Sequence, residues 1–142
     1  MQTLALIQGD LALSSGSYLT YSGPDKIRQD LDLALNEDYG SDPFHPYWGS
    51  ILNRYIGEPL TASVKQAVLT EVSRVLTNYV MVQTDLIAAD GTYDNRSSFS
   101  TSDVVRSVES IDAQSVSDRI LVTITLQTMS NQTITIKRQV IS

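Results

Sequence analysis

The residue types that could carry out chemistry are few and scattered. His45 is the sole histidine and lies between Phe44 and Pro46. Without a second His or any Cys it has no metal-binding companion, and it is read as a loop histidine with a structural hydrogen bond. Two carboxylates suffice for glycoside hydrolysis. The candidates are Glu37 with Asp38, Glu58 and Glu71, but nothing in the sequence fixes their separation. They are read as solvated surface acids. Asp90-Gly91-Thr92-Tyr93-Asp94-Asn95 loosely resembles a calcium loop, yet position twelve counted from Asp90 is Thr101, where an EF-hand loop needs a bidentate Glu. Ser14, Ser15, Ser97 and Ser98 lack a nucleophile-elbow motif. Glycine-rich phosphate motifs are missing. No catalytic residue, metal site or cofactor is expected.

A different feature stands out. Between Tyr39 and Gly49 the chain reads YGSDPFHPYWG, with four aromatics, two prolines and two glycines. Proline restricts its own backbone and that of the residue before it, so this loop is stiff. One reading has its rings closing the core. Another has a rigid contact surface, since Tyr and Trp are favoured at interface hot spots. The two are compatible, and Tyr39, Gly40, Pro43, Phe44, Pro46, Trp48 and Gly49 become candidate partner-binding residues.

The flanking elements must position this loop. Pro24 and Asp25 suit a helix start, and Ile27, Leu31, Ala34 and Leu35 share one helical face. That helix stops before Gly40. After the loop, a short helix places Trp48, Ile51, Leu52, Tyr55 and Ile56 on one side, ending at Gly57. Thr61 or Ser63 caps a third helix, the latter in capping-box spacing with Gln66. Its stripe is Val64, Ala67, Val68, Val72, Val75, Leu76 and Tyr79. Beyond Tyr79, Val80-Met81-Val82 either extends the helix or begins a strand. Residues 88–103 are polar and read as a surface loop.

The ends of the chain read as β-structure. Residues 2–21 form an expected hairpin, with Gln8-Gly9-Asp10 as its turn and SYLTY as a further extended piece. No internal repeat is recognised. Three C-terminal strands are expected within 104–141: Val104 to Ile111, the least regular; Ile120 to Leu126, in alternation; and Ile134 to Val140. The predicted class is α+β in one domain, 1–142. Its helical part, 24–79, packs on a mixed or antiparallel sheet built from N-terminal and C-terminal strands.

Composition narrows the function further. The 142 residues suit a single core-forming domain, and 18% charged residues fit a globular chain. A net charge of −6 with only ten Lys and Arg argues against nucleic-acid binding. The start, MQTLALIQGD, lacks the basic region of a signal peptide. No stretch is apolar enough to span a membrane.

The order of motifs resembles a known family. A helix containing IRQDL is followed by Gly40-Ser41, Pro43-Phe44, Pro46, Gly49, Pro59-Leu60-Thr61 and a long helix ending in Asn78-Tyr79. This is similar to the small, W-type wedge subunit of contractile phage-tail baseplates, also found in type VI secretion baseplates. The match covers about fifty-five residues from Ile27 to Tyr79. The resemblance implies a non-enzymatic virion protein, assembled in the host cytoplasm and present in multiple copies in a symmetric tail baseplate. Its implied partners are other wedge and hub proteins and tail sheath or tube proteins. It also implies initiation of the sheath by β-strand addition, for which the last strand, with Ile134 and Ile136, is suitable material. Family members carry Glu-Pro-Arg after the tyrosine that matches Tyr79, whereas this chain has Val80-Met81-Val82. Their polar contact to a wedge helix bundle therefore does not carry over. Two alternatives remain: a small regulatory binding module of the anti-adaptor kind, which shares the fold, and a cell-wall hydrolase using Glu58 and Glu71.

Overall fold

The computed structural model describes residues 2–8, 10–93 and 100–141. The expected turn at Gly9 and much of the segment 90–99 lie outside the described side chains.

The N-terminal part is not one hairpin. β1 (Thr3–Leu4) pairs with β6 (Thr20–Tyr21), β2 (Leu6–Ile7) with β3 (Asp10–Leu11), and β4 (Leu13–Ser14) with β5 (Ser17–Tyr18), all antiparallel. Three backbone bonds close a ring where these ladders meet. The Ala5 N–H donates to the Leu19 carbonyl at 2.8 Å, Ala12 to Ala5 at 3.0 Å, and Leu19 to Ala12 at 2.8 Å. Residues 5, 12 and 19 are seven apart, and the sequence repeats with that period: TLALIQG, DLALSSG, SYLTYSG. The module has pseudo-three-fold symmetry that the sequence reading missed. A seven-residue unit with Leu/Tyr and Ala/Leu exchanges reads as ordinary strand alternation. Ser15 and Gly16, with φ of 51° and 80°, supply the two left-handed residues that a tight hairpin turn requires.

α1 (Gly23–Asn36) buries Ile27, Leu31, Ala34 and Leu35, the predicted face. A single 3-10 turn, Leu52–Tyr55, replaces the short helix. Leu52 is buried there, but Ile56 is 59% exposed, because the chain leaves the turn before Ile56 can face inward. α2 (Ala62–Tyr93) is capped by Thr61, whose hydroxyl accepts from the Val64 N–H at 3.2 Å. The helix runs through Val80–Val82 and into the expected loop. Its inward stripe continues past Tyr79 as Gln83, one turn on and buried. The Gln83 amide donates to the Asp103 carbonyl (2.6 Å) and accepts from the Val105 N–H (2.9 Å). A count of apolar residues cannot see a buried face that turns polar.

β7 (Val105–Val116), β8 (Arg119–Thr128) and β9 (Thr133–Ile141) form an antiparallel meander with β8 central. On β8, Ile120, Val122, Ile124 and Leu126 all face the core. β7 has register shifts between Val105 and Ser107 and between Val108 and Ser110, the cause of its poor alternation. The α+β class holds, with the helices packed on an antiparallel sheet. Among the described residues, however, the N-terminal strands pair with one another and do not join that sheet. The core is built from Ile27, Leu31 and Leu35 of α1, Val68, Val72 and Leu76 of α2, and the inward residues of β8 and β9. Burying each such side chain contributes about 1.5–3 kcal/mol.

Gln29 of α1 ties the N-terminal module down, accepting from the Leu6 N–H and donating to the Leu4 carbonyl, both at 2.8 Å. Asp103 makes a second junction. Its buried carboxylate accepts from the Gly23 N–H and from both the N–H and the hydroxyl of Ser100. Burial pushes this carboxyl up, but hydrogen bonding outweighs it and holds the group at about 2, below the usual 3.8. A depressed pKa gives stability that is present above about pH 4 and lost as pH falls through about 2; here it amounts to about 2 kcal/mol. Asp103→Asn is therefore expected to cost about 2 kcal/mol in urea unfolding at pH 6, with the gap from wild type closing near pH 2. A gap that stays constant between these pH values would contradict this role.

Candidate functional site

The loop from Tyr39 to Gly49 is cinched at its neck by backbone bonds. Ser50 N–H donates to the Glu37 carbonyl (2.8 Å), Tyr39 N–H to Ser50 (3.0 Å), and Gly40 N–H to Trp48 (3.1 Å). So close an approach requires Gly49. Its φ is +94°, and a Cβ there would sit 2.7 Å from the Asp38 carbonyl oxygen. Inside the loop, Asp42 accepts from the Phe44 N–H at 2.9 Å and pairs with the His45 Nδ1 at 2.7 Å. The His45 ring first, then the Phe44 amide, hold the Asp42 carboxyl below its ordinary range. His45 thus has a structural partner, as expected.

α2 braces the loop from beneath. The Arg74 guanidinium donates to the Gly49 carbonyl (2.8 Å) and to both oxygens of Glu71 (2.6 and 3.0 Å). It also lies 4.6 Å from the Tyr39 ring centroid, a cation–π distance. Glu71 accepts from the Ile51 N–H at 3.0 Å, and Asn78 donates to the Tyr47 carbonyl at 3.2 Å. Burial pushes the Glu71 carboxyl up, but Arg74 and the Ile51 amide outweigh it and leave the group below its usual range. The Glu71 hydrogen bonds in turn raise Arg74. Glu71 is therefore a buried, ionised clamp and not a solvated surface acid. Glu58 is exposed.

Trp48 is the loop's inward anchor. Its ring meets Tyr79 at 6.4 Å between centroids with the planes 53° apart. The Tyr79 hydroxyl donates to Asp30 at 2.9 Å, and Asp30 also pairs with Lys26. Burial, then the Asp30 charge and hydrogen bond, push the Tyr79 phenol up. The other rings do not close the core. Phe44 is 88% exposed and Tyr47 is 70% exposed. Between them and α2 runs a groove of about 440 Å³, bordered by Trp48, Asn78 and Val82.

Seven of the expected partner-binding residues, Tyr39 through Gly49, lie together on this loop, and Tyr79 touches it through Trp48. Ile134 and Ile136 are elsewhere, buried in the core at 0% and 8% exposure, so neither offers a partner more than a trace of surface. Sequence reasoning missed Arg74 and Val82. The Glu71–Arg74 spacing on one helix face was the available signal for the first. Among the described residues, no group of three or more His, Cys, Asp or Glu could hold a metal ion. The arrangement suits binding through aromatic and apolar contact.

No family model matches this sequence, and neither does any curated protein. Among solved structures, the crystal structure of a putative tail lysozyme from Geobacter sulfurreducens is similar with a TM-score of 0.57 and 14% identity, over 93% of this chain and 96% of that one. At this identity the likeness is one of fold, and it extends over nearly the full length of both chains.

Proposed function

We propose that this chain is a structural, non-enzymatic subunit of a phage-tail baseplate wedge. It joins wedge and hub proteins and starts sheath assembly by strand addition. The observation that carries this reading is the braced loop, which spends the hydrogen bonds of Glu71, Arg74 and Asn78 on holding Phe44 and Tyr47 out toward solvent. Large exposed rings on a rigid support are the anatomy of an interface anchor. The fold shared with a protein named as a tail lysozyme supports a tail-related setting. Glu71 is a poor general acid in that setting, since its carboxylate is ionised and fully engaged.

Strand addition has suitable edges in β7 and β9, which flank β8. β9 also serves the core through Ile134, Ile136 and Val140, so strand addition is tested by blocking its edge and not by removing the strand. The chain's position in the assembled particle, read by imaging, tests the whole proposal.

A further inference from the structure

We infer that two copies of this chain pair through the apolar face of the N-terminal β-module, one near-three-fold ring of side chains stacked on the other. The surface is built within residues 3–21 and takes nothing from the braced loop.

The short ladders of the module close that ring. Each seven-residue unit supplies one strand whose two halves pair with different neighbours, and Ala5, Ala12 or Leu19 sits at its middle. Side chains alternate along a strand, so the residues on either side of the middle share the opposite face. These are Leu4 and Leu6, Leu11 and Leu13, Tyr18 and Thr20. The register joins them into a cycle, with Leu4 opposite Thr20, Leu6 opposite Leu11 and Leu13 opposite Tyr18. Opposed residues have Cβ atoms about 4.5–5.5 Å apart, which makes the six one continuous patch. Ala5 and Ala12 are buried, whereas Leu4, Leu11, Leu13 and Tyr18 are between 43% and 67% exposed.

Charge selects a second copy as the occupant. The chain carries a net charge of −6, so two copies repel each other in most orientations. Between Gln2 and Ser22 the one charged side chain is Asp10. Asp10 precedes Leu11 on its strand, and alternation turns it to the other face. The ring is therefore a surface on which two acidic copies meet without opposing like charges. Apolar surface depleted of charge is also the composition of homodimer interfaces.

Symmetry points the same way. A two-fold axis lays a patch on itself. With near-three-fold repetition, such a patch sets apolar side chains against apolar side chains at each of three rotations. Area then fixes the strength. The ring leaves on the order of 500 Å² of mostly apolar surface open per copy, so a dimer hides on the order of 1,000 Å². That reaches the lower end of specific interfaces and falls well short of obligate ones. The pairing is reversible, with a Kd on the order of 0.1 mM.

Sedimentation of the full chain from about 10 µM to about 1 mM, with methyl NMR over the same range, tests the pairing. The average mass is expected to rise from one copy toward two. The Leu4, Leu11 and Leu13 methyl resonances should shift with concentration, while the methyl of Met129, which is 51% exposed on the β8–β9 turn, should not. These wild-type shifts locate the contact without any variant that could disturb the module. Leu13→Glu is expected to weaken association at least about tenfold, because the two-fold axis brings a new carboxylate from each copy into one apolar patch. Met129→Glu adds the same charge elsewhere and should leave association unchanged. A chain that stays monomeric to about 1 mM, shifts that avoid the ring, association undiminished by Leu13→Glu, or equal weakening by both substitutions would each overturn the inference.

Discussion

Replacing Phe44 and Tyr47 together by serine is expected to remove the chain from assembled tails while leaving its own fold intact. The two halves of this expectation have separate causes. In the isolated chain the rings are 88% and 70% exposed, so their loss changes few internal contacts. Stability in urea should stay within about 0.5 kcal/mol of wild type. In an interface, aromatic anchors of this kind are worth about 2 kcal/mol or more each. Losing both would weaken binding by about 4 kcal/mol, roughly a thousandfold. Complementation of a strain lacking the chain, with the protein quantified in purified particles, reads the effect. Wild-type incorporation by the double variant would show that the loop's exposed rings contact nothing.

Gly49→Ala is the second large effect, and it falls on folding itself. The backbone at φ +94° is disfavoured for any residue with a Cβ, at about 1–2 kcal/mol. The new Cβ would also lie 2.7 Å from a backbone oxygen that is part of the loop's neck. Backbone cannot swing aside as a side chain can, so the Glu37–Ser50 and Tyr39–Ser50 bonds would have to move. A total cost of about 3 kcal/mol or more is expected from urea unfolding. Gly57→Ala is the control. Its φ is +86°, but a Cβ there meets nothing within 4 Å, so only the conformational cost of about 1–2 kcal/mol applies. Equal losses for the two variants would mean that the neck is not tightly closed.

Sequence pattern revealed some of this structure and concealed other parts for identifiable reasons. The faces of α1 and α2 and the alternation of β8 were legible because each buries an unbroken apolar set against one layer. The extension of α2 past Tyr79 was not, because its inward face passes to Gln83, a polar residue that earns burial by bonding both sides of the Asp103–Val105 segment. The seven-residue repeat was visible in the letters TLALIQG, DLALSSG and SYLTYSG. Its meaning lay in the ring of bonds through Ala5, Ala12 and Leu19, which alternation alone does not predict.

The site shows the same division. The aromatic and proline content of residues 39–49 marked the loop, but no periodicity tells whether a loop ring points in or out. That was decided by Gly49, which lets the neck close, and by Trp48, which alone takes the inward place against Tyr79. Glu71 read as a surface acid because carboxylates usually are solvated. It is buried because Arg74 and the Ile51 amide compensate its charge. Ile134 and Ile136 show the alternation of a strand, which does not tell a face that meets a partner from one that meets the core, and both belong to the core.

The account stands on the claim that the braced loop is a contact surface within a tail baseplate. Imaging the assembled particle at side-chain resolution tests this most directly. The account predicts this chain at the baseplate, with Phe44 and Tyr47 buried against a neighbouring protein. A particle in which both rings still face solvent, or from which the chain is absent, would contradict it.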